Sequence, residues 1–173
     1  FHEVIIHSPD DVMDIPQLPI AHVTLILQTY KERYLANQKN GQVIIFNNVG
    51  EVAGASLNHP HSQLVVVPKQ INLDSLQLEA IVNEVVDSKY FVVFCPNFSV
   101  WPFELWIAPK KRGEFFGDIE NDAINDLAFV LQNALRRLLS HLNSKGHFHI
   151  GVPVIQFKNG PAYNFYIHHG KDW

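Results

Sequence analysis

Between residues 119 and 142, apolar side chains recur every three or four positions: Ile124, Leu127, Leu131, Leu135, Leu138 and Leu142. This stripe predicts an amphipathic helix with one buried face. Val23, Leu27, Tyr30 and Tyr34 keep the same spacing and predict a helix over residues 20–38. LDSLQLEAIVNEVV (73–86) reads as a third, shorter helix. Between these lie β-branched and aromatic runs closed by turn residues, the signature of strands: EVIIHSPDD (3–11), GQVIIFNNVG (41–50), SQLVVVP (62–68), YFVVFCP, FELWIAPKK, HFHIGVPVIQF and AYNFYIHHG. WPFELW (101–106) is an aromatic strand entry expected in the core.

The order strand, helix, strand, loop, strand occurs twice. An α+β fold of two similar halves follows, residues 1–88 and 89–173, each with an antiparallel sheet and a long helix. VVDSKYF is the short link between them.

Composition narrows the function. The 173 residues are 47% hydrophobic and 17% charged, enough apolar mass for a sound core. The net charge of −4 offers no electrostatic platform for nucleic acid or an anionic membrane, so phosphate chemistry must rest on individually placed groups. A single cysteine, Cys95, rules out an internal disulfide, and its apolar setting predicts a buried, inert thiol. No run is long and apolar enough to span a bilayer, and the start is not a signal peptide, so a cytoplasmic protein is expected. Phe1 is not an initiator methionine, and further residues are expected ahead of it.

The candidate chemistry sits in LNHPHSQL (57–64). In extended chain, residues two apart face one side, so His59, His61 and Gln63 can point into one space. Pro60 stiffens the entry, and Gly50, Ala53, Gly54 and Ala55 keep the preceding loop thin enough for a ligand to lie along the backbone. Ser56, Ser62 and Gln63 are neutral donors suited to phosphate oxygens. An imidazole whose second nitrogen is hydrogen-bonded can attack phosphorus and pass the group on, with placed donors stabilising the charge that develops. A His-x-His pair can equally be a plain polar pair or part of a metal site. His147 and His149 alternate along a predicted strand, His168 and His169 face opposite ways, and His7, His22 and His141 read as structural.

FNNVGEVAGASLNHPHSQL resembles the galactose-1-phosphate uridylyltransferase branch of the histidine triad superfamily, marked by a His-Pro-His-x-Gln run after a Gly/Ala/Ser loop. EVIIHSPDD, WPFELWIAPKK and YNFYIHHG resemble further family segments in the same order, so the likeness runs through the whole chain. It implies a histidine-triad-like fold in both halves. It also implies a double displacement in which His61 becomes uridylylated, Gln63 holds the transferred phosphoryl group with Ser62 beside it, and Asn48, Gly54 and Ser56 contact the nucleotide. The implied substrates are UDP-glucose and a hexose 1-phosphate, handled by a homodimer. Ser62 stands where the best-known members have glycine, a change also found in adenylyl-transferring relatives. ADP-glucose or a dinucleoside polyphosphate is therefore an alternative substrate, and a non-catalytic nucleotide-binding homologue is another reading.

The resemblance also implies metals. In zinc-bearing members the first histidine, here His59, joins a histidine after Ser-Pro-Asp and a cysteine pair; Asp11 holds the second of these positions, an unusual ligand for structural zinc. At the family's second metal site the chain offers Pro153, His168 and Gly170, and that site looks dismantled.

Overall fold

A computed structural model describes residues 1–71, 80–144, 162–168 and 170–171. Helix α1 (Ile20–Asn37) starts where Pro19, which cannot continue a helix backwards, supplies its carbonyl to the His22 and Val23 amides. Its buried face is Val23, Ile26, Leu27, Tyr30 and Tyr34. Helix α2 (Asn121–Ser144) buries Ile124, Leu127, Ala128, Leu131 and Leu135 and packs against α1. Both helices lie where the periodicity predicts them.

One sheet has the strand order β1-β3-β2-β7, from His2–Ile6, His61–Val67, Gln42–Val49 and Tyr163–Ile167, with all neighbours antiparallel. The other runs β4-β5-β6, from Glu84–Asp87, Phe91–Phe94 and Trp106–Pro109, also antiparallel. The α+β class holds. β4 precedes residue 88 and β7 follows it, so each sheet draws strands from both sides of that position. One continuous core joins Val43, Ile45, Leu64 and Val66 of the first sheet to Phe91 and Val93 of the second through the apolar faces of α1 and α2. Polar side chains of the helices reinforce it. Buried Gln132 of α2 donates to the carbonyls of Ile15 (2.7 Å) and Leu18 (2.8 Å), and Arg136 donates to that of Pro16 (2.7 Å). This fixes the segment between β1 and α1 that carries Asp14.

Three expectations change. Residues 84–87 are strand β4, so the helix expected over 73–86 does not run to its end; residues 72–79 lie outside the described residues. A bulge between Glu84 and Val86 and the left-handed Asn83 (φ 52°) break the periodicity that suggested a helix. WPFELW is not a core element throughout: Trp101 is 75% exposed and Phe103 turns the chain at φ 64°, while Leu105 packs on the core. Cys95 is partly rather than fully buried. The strand expected over HFHIGVPVIQF, with His147, His149 and Pro153, lies outside the described residues, as does His169.

Gly41 precedes β2 with its Cα against β3. A Cβ there would lie 2.4 Å from the Val67 carbonyl oxygen, a backbone atom with little freedom to yield. Gly41→Ala is expected to cost about 1–3 kcal/mol of stability through overpacking, read as a lower urea midpoint with unchanged slope.

Candidate active site

β3 begins at His61, so the two-residue alternation applies from His61 onward, while His59 and Pro60 precede the strand. Register pairs His61 with Ile6, and Gln63 with Val4 on one side and Phe46 on the other. These side chains share the outer face of the sheet, where Val4 and Ile6 are about half exposed. Ser62 pairs with Ile5 and Asn47 and faces the core.

The His61 ring is held by its own chain. Its Nδ1–H donates to the His59 carbonyl at 2.8 Å; a carbonyl only accepts, so the hydrogen sits on Nδ1 and the lone pair on Nε2. The His59 ring donates through Nε2–H to the Ser8 carbonyl (2.7 Å), and the His7 amide donates to the Pro60 carbonyl (3.0 Å). On the outer face, His2 Nε2–H donates to Gln63 Oε1 at 2.9 Å. That bond turns the Gln63 NH2 group away from His2 as the end left to donate. His2 carries no sequence signal for this role, because only the pairing of β1 with β3 brings it there.

Asn48 lies near the end of β2, and Gly54 and Ser56 follow in the loop after it. Gly50 (φ 88°) and Gly54 (φ 82°) take the left-handed turns of the thin loop, and Asn164 of β7 ties it down by donating to Asn48 Oδ1 (2.6 Å) and the Ala53 carbonyl (2.8 Å). A Cβ on Gly54 would lie 3.8 Å from Asn48 Nδ2, so the two positions adjoin. Ser56 is exposed.

Ser62 departs from expectation. Its side chain is fully buried and cannot reach a phosphate on the His61 side. Its Oγ instead meets His7 Nε2 (2.8 Å), the Tyr30 hydroxyl and Asn47 Nδ2 (3.2 Å). His7 Nδ1–H donates to Asp14 Oδ1 (2.7 Å), and the Tyr163 hydroxyl donates to Asp14 Oδ2 (2.7 Å). Burial pushes the Asp14 carboxyl up, but the bonds and charge from His7, the Tyr163 hydroxyl and the Ile15 amide outweigh it, leaving the group below the ordinary carboxylate range. Burial raises the Tyr30 and Tyr163 hydroxyls far above the ordinary phenol range, so both keep their hydrogens and donate.

Residues 2–67, which carry this arrangement except for Tyr163 and Asn164 of β7, match the family model described as "Galactose-1-phosphate uridyl transferase, N-terminal domain". Over that stretch the chain is similar to the galactose-1-phosphate uridylyltransferase family. It is 26% identical to an ADP-glucose phosphorylase of Arabidopsis thaliana over 97% of this chain and 49% of that one. It is 21% identical to a galactose-1-phosphate uridylyltransferase of Haemophilus influenzae, over 95% and 54%. The chain thus spans about half the length of these curated relatives. A solved structure of an Arabidopsis thaliana ADP-glucose phosphorylase with bound ADP-glucose superposes with a TM-score of 0.78 at 24% identity, covering 99% of this chain and 57% of that one. Its likeness concerns the fold, as does that of a galactose-1-phosphate uridylyltransferase-like protein from the same plant (TM-score 0.79, 23% identity, 99% and 59% covered).

Zinc does not fit His59 and Asp11 as they stand. A structural zinc takes four ligands, whereas the His59 Nε2 donates to a backbone carbonyl and Asp11 is exposed. Among the described residues, no three His, Cys, Asp or Glu side chains gather around one point. At the other metal position of the family, His168 is buried and its Nδ1 accepts from the Gly170 amide (3.2 Å), while Pro153 lies outside the described residues. Among the described residues, no helix is long and apolar enough to cross a membrane.

The depressed Asp14 carboxyl makes stability depend on pH with a definite sign. Its contribution is complete above the unfolded carboxylate value of about 3.9 and is lost as pH falls through the lower folded value. Asp14→Asn is expected to lower stability near neutrality by roughly 1.5–3 kcal/mol, the scale of a hydrogen bond to a charged group. It should also flatten the acid limb below about pH 4, read from urea midpoints across a pH series.

Proposed function

We propose that the protein is a nucleotidyltransferase acting by double displacement on a nucleoside diphosphate hexose. The observation that carries this reading is the His61 ring, whose Nδ1–H is committed to the His59 carbonyl at 2.8 Å so that Nε2 holds the attacking lone pair. Nε2 attacks the α-phosphorus, the bond to the bridging oxygen breaks, and hexose 1-phosphate leaves. The nucleotidyl group, now on His61, passes to the phosphate oxygen of a second acceptor. The Gln63 NH2, oriented by His2, donates to the non-bridging oxygens as charge builds there. Asn48, Gly54 and Ser56 line the loop that takes the nucleotide. No step is routed through a metal.

UDP-glucose with a hexose 1-phosphate acceptor is one substrate pair, and it follows the family model matched by residues 2–67. Transfer from ADP-glucose is a second reading, supported by the 26% identity to an ADP-glucose phosphorylase over 97% of the chain. A homodimer belongs to this proposal and is read by sedimentation equilibrium.

Incubation with UDP-glucose or ADP-glucose labelled in the α-phosphate is expected to leave an acid-labile, base-stable adduct from one of them, absent in His61→Ala. The nucleotide that labels identifies the base. Gln63→Ala should lower the rate of labelling about 100- to 1,000-fold, as for the loss of a donor to developing charge. Tight nucleotide binding with no adduct from either sugar would replace this reading with a non-catalytic binding protein.

A further inference from the structure

The polar chain under β3 lies on the sheet face away from His61, and its hydrogen bonds can be assigned donor by donor. A carboxylate only accepts, so Tyr163 O–H donates to Asp14 Oδ2 and His7 Nδ1–H to Asp14 Oδ1, both at 2.7 Å. With its hydrogen on Nδ1, the His7 ring accepts at Nε2, where Ser62 Oγ lies at 2.8 Å and the Tyr30 hydroxyl at 3.1 Å. Ser62 O–H fills that nitrogen. Tyr30 O–H and the Asn47 amide (3.2 Å) then donate to Ser62 Oγ. The connectivity is that of a Ser-His-Asp triad, yet Ser62 is 0% exposed, so no substrate reaches its hydroxyl. The chain is built to hold rather than to attack.

What it holds is the peptide that carries His61. The His7 amide donates to the Pro60 carbonyl (3.0 Å), the His59 ring donates to the Ser8 carbonyl (2.7 Å), and the His7 ring accepts from Ser62 (2.8 Å). Residues 7 and 8 therefore grip the chain on both sides of His61. The grip includes His59, whose carbonyl orients the His61 ring. It is braced in turn, since His22 of α1 donates from Nε2–H to the His7 carbonyl (2.7 Å).

We propose that His7, braced by Asp14, is a positioning residue for His61: through Ser62 it fixes the start of β3 so that His61 Nε2 stays in line with the phosphorus. This rests on the nucleotidyl-transfer reading above. In-line attack needs the reacting atoms about 3–3.5 Å apart, and a misplacement of about 1 Å can cost roughly 100-fold in rate. Neither the His7 ring nor the Ser62 hydroxyl faces the ligand side, so loosening them slows transfer and leaves nucleotide affinity alone.

The test compares the protein with its Ser62→Ala, His7→Phe and His7→Gln variants. Single-turnover labelling is expected to slow about 10- to 100-fold in Ser62→Ala and His7→Phe, with nucleotide Kd changed less than about twofold. His7→Gln, which keeps a donor for Asp14 and an acceptor for Ser62, should recover most of the loss. If His7→Phe does not fold, Ser62→Ala carries the test, because the Tyr30 hydroxyl 3.1 Å from Nε2 can take over as donor. The second readout is the imidazole nitrogen-15 spectrum of His61, expected to show the Nδ1–H tautomer in the parent protein and a tautomer mixture in Ser62→Ala. Labelling at the parent rate, or a rate loss matched by lost affinity, overturns the proposal, as does an unchanged His61 spectrum. If the parent protein labels with neither nucleotide sugar, the transfer reading falls, and the tautomer spectra alone decide whether His7 positions His61.

Discussion

A carboxylate withdrawn from water has to be given back its hydrogen bonds, and in this protein that obligation organises the interior. Asp14 is buried with 6% exposure and takes its donors from His7 at the end of β1, Tyr163 of β7 and the Ile15 amide. Removing such donors would leave a charge stranded in a medium of low polarisability, a cost far above that of a missed surface contact. Among the described residues, β1 at one side of the sheet, β7 beyond β2 and the segment before α1 are therefore tied to one point. Gln132 and Arg136 of α2 secure that segment from the other side by covering its carbonyls.

From this anchor the first sheet divides its labour by face. The inner face continues the polar cluster through His7, Ser62, Tyr30 and Asn47, then becomes wholly apolar at Leu64 and Ile45. The outer face carries His61 and Gln63, with Asn48 and Asn164 at its upper end. Successive residues of one strand thus face opposite sides of the sheet: His61, buried with 5% exposure, lies on the outer face, and Ser62 secures the strand inward. A hydroxyl at position 62 matters through what lies beneath the sheet.

Much of this is legible in the chain. The stripes of α1 and α2 need only local periodicity, and both helices lie where the stripes put them. The thin Gly50–Gly54 loop and the common face of His61 and Gln63 likewise follow from residue type and the period of a strand. Ser62 was legible too, since the alternation that groups its neighbours turns its own hydroxyl the other way. Strand β4 was not, because EVVD is short and follows residues whose apolar spacing suits a helix. Nor were the partners of His7 and His2. Ser62 lies 55 residues from His7, and Gln63 lies 61 residues from His2, so only strand register brings them together.

The pairing of β7 with β2 gives the fold an order in time. Tyr163 is separated from Asp14 by 149 positions, so a chain emerging from its amino end can form β1, β2, β3 and α1 long before the third donor to the carboxylate exists. Without β7, Asp14 would keep only the His7 and Ile15 donors named here, and the side of β2 that pairs with β7 would be open to another strand. Contacts so distant along the sequence are slow to form because the intervening chain must first be closed into a loop. Among the described strands β7 is thus the latest in chain order, and it supplies the donor that completes the hydrogen bonding of Asp14 beneath the sheet.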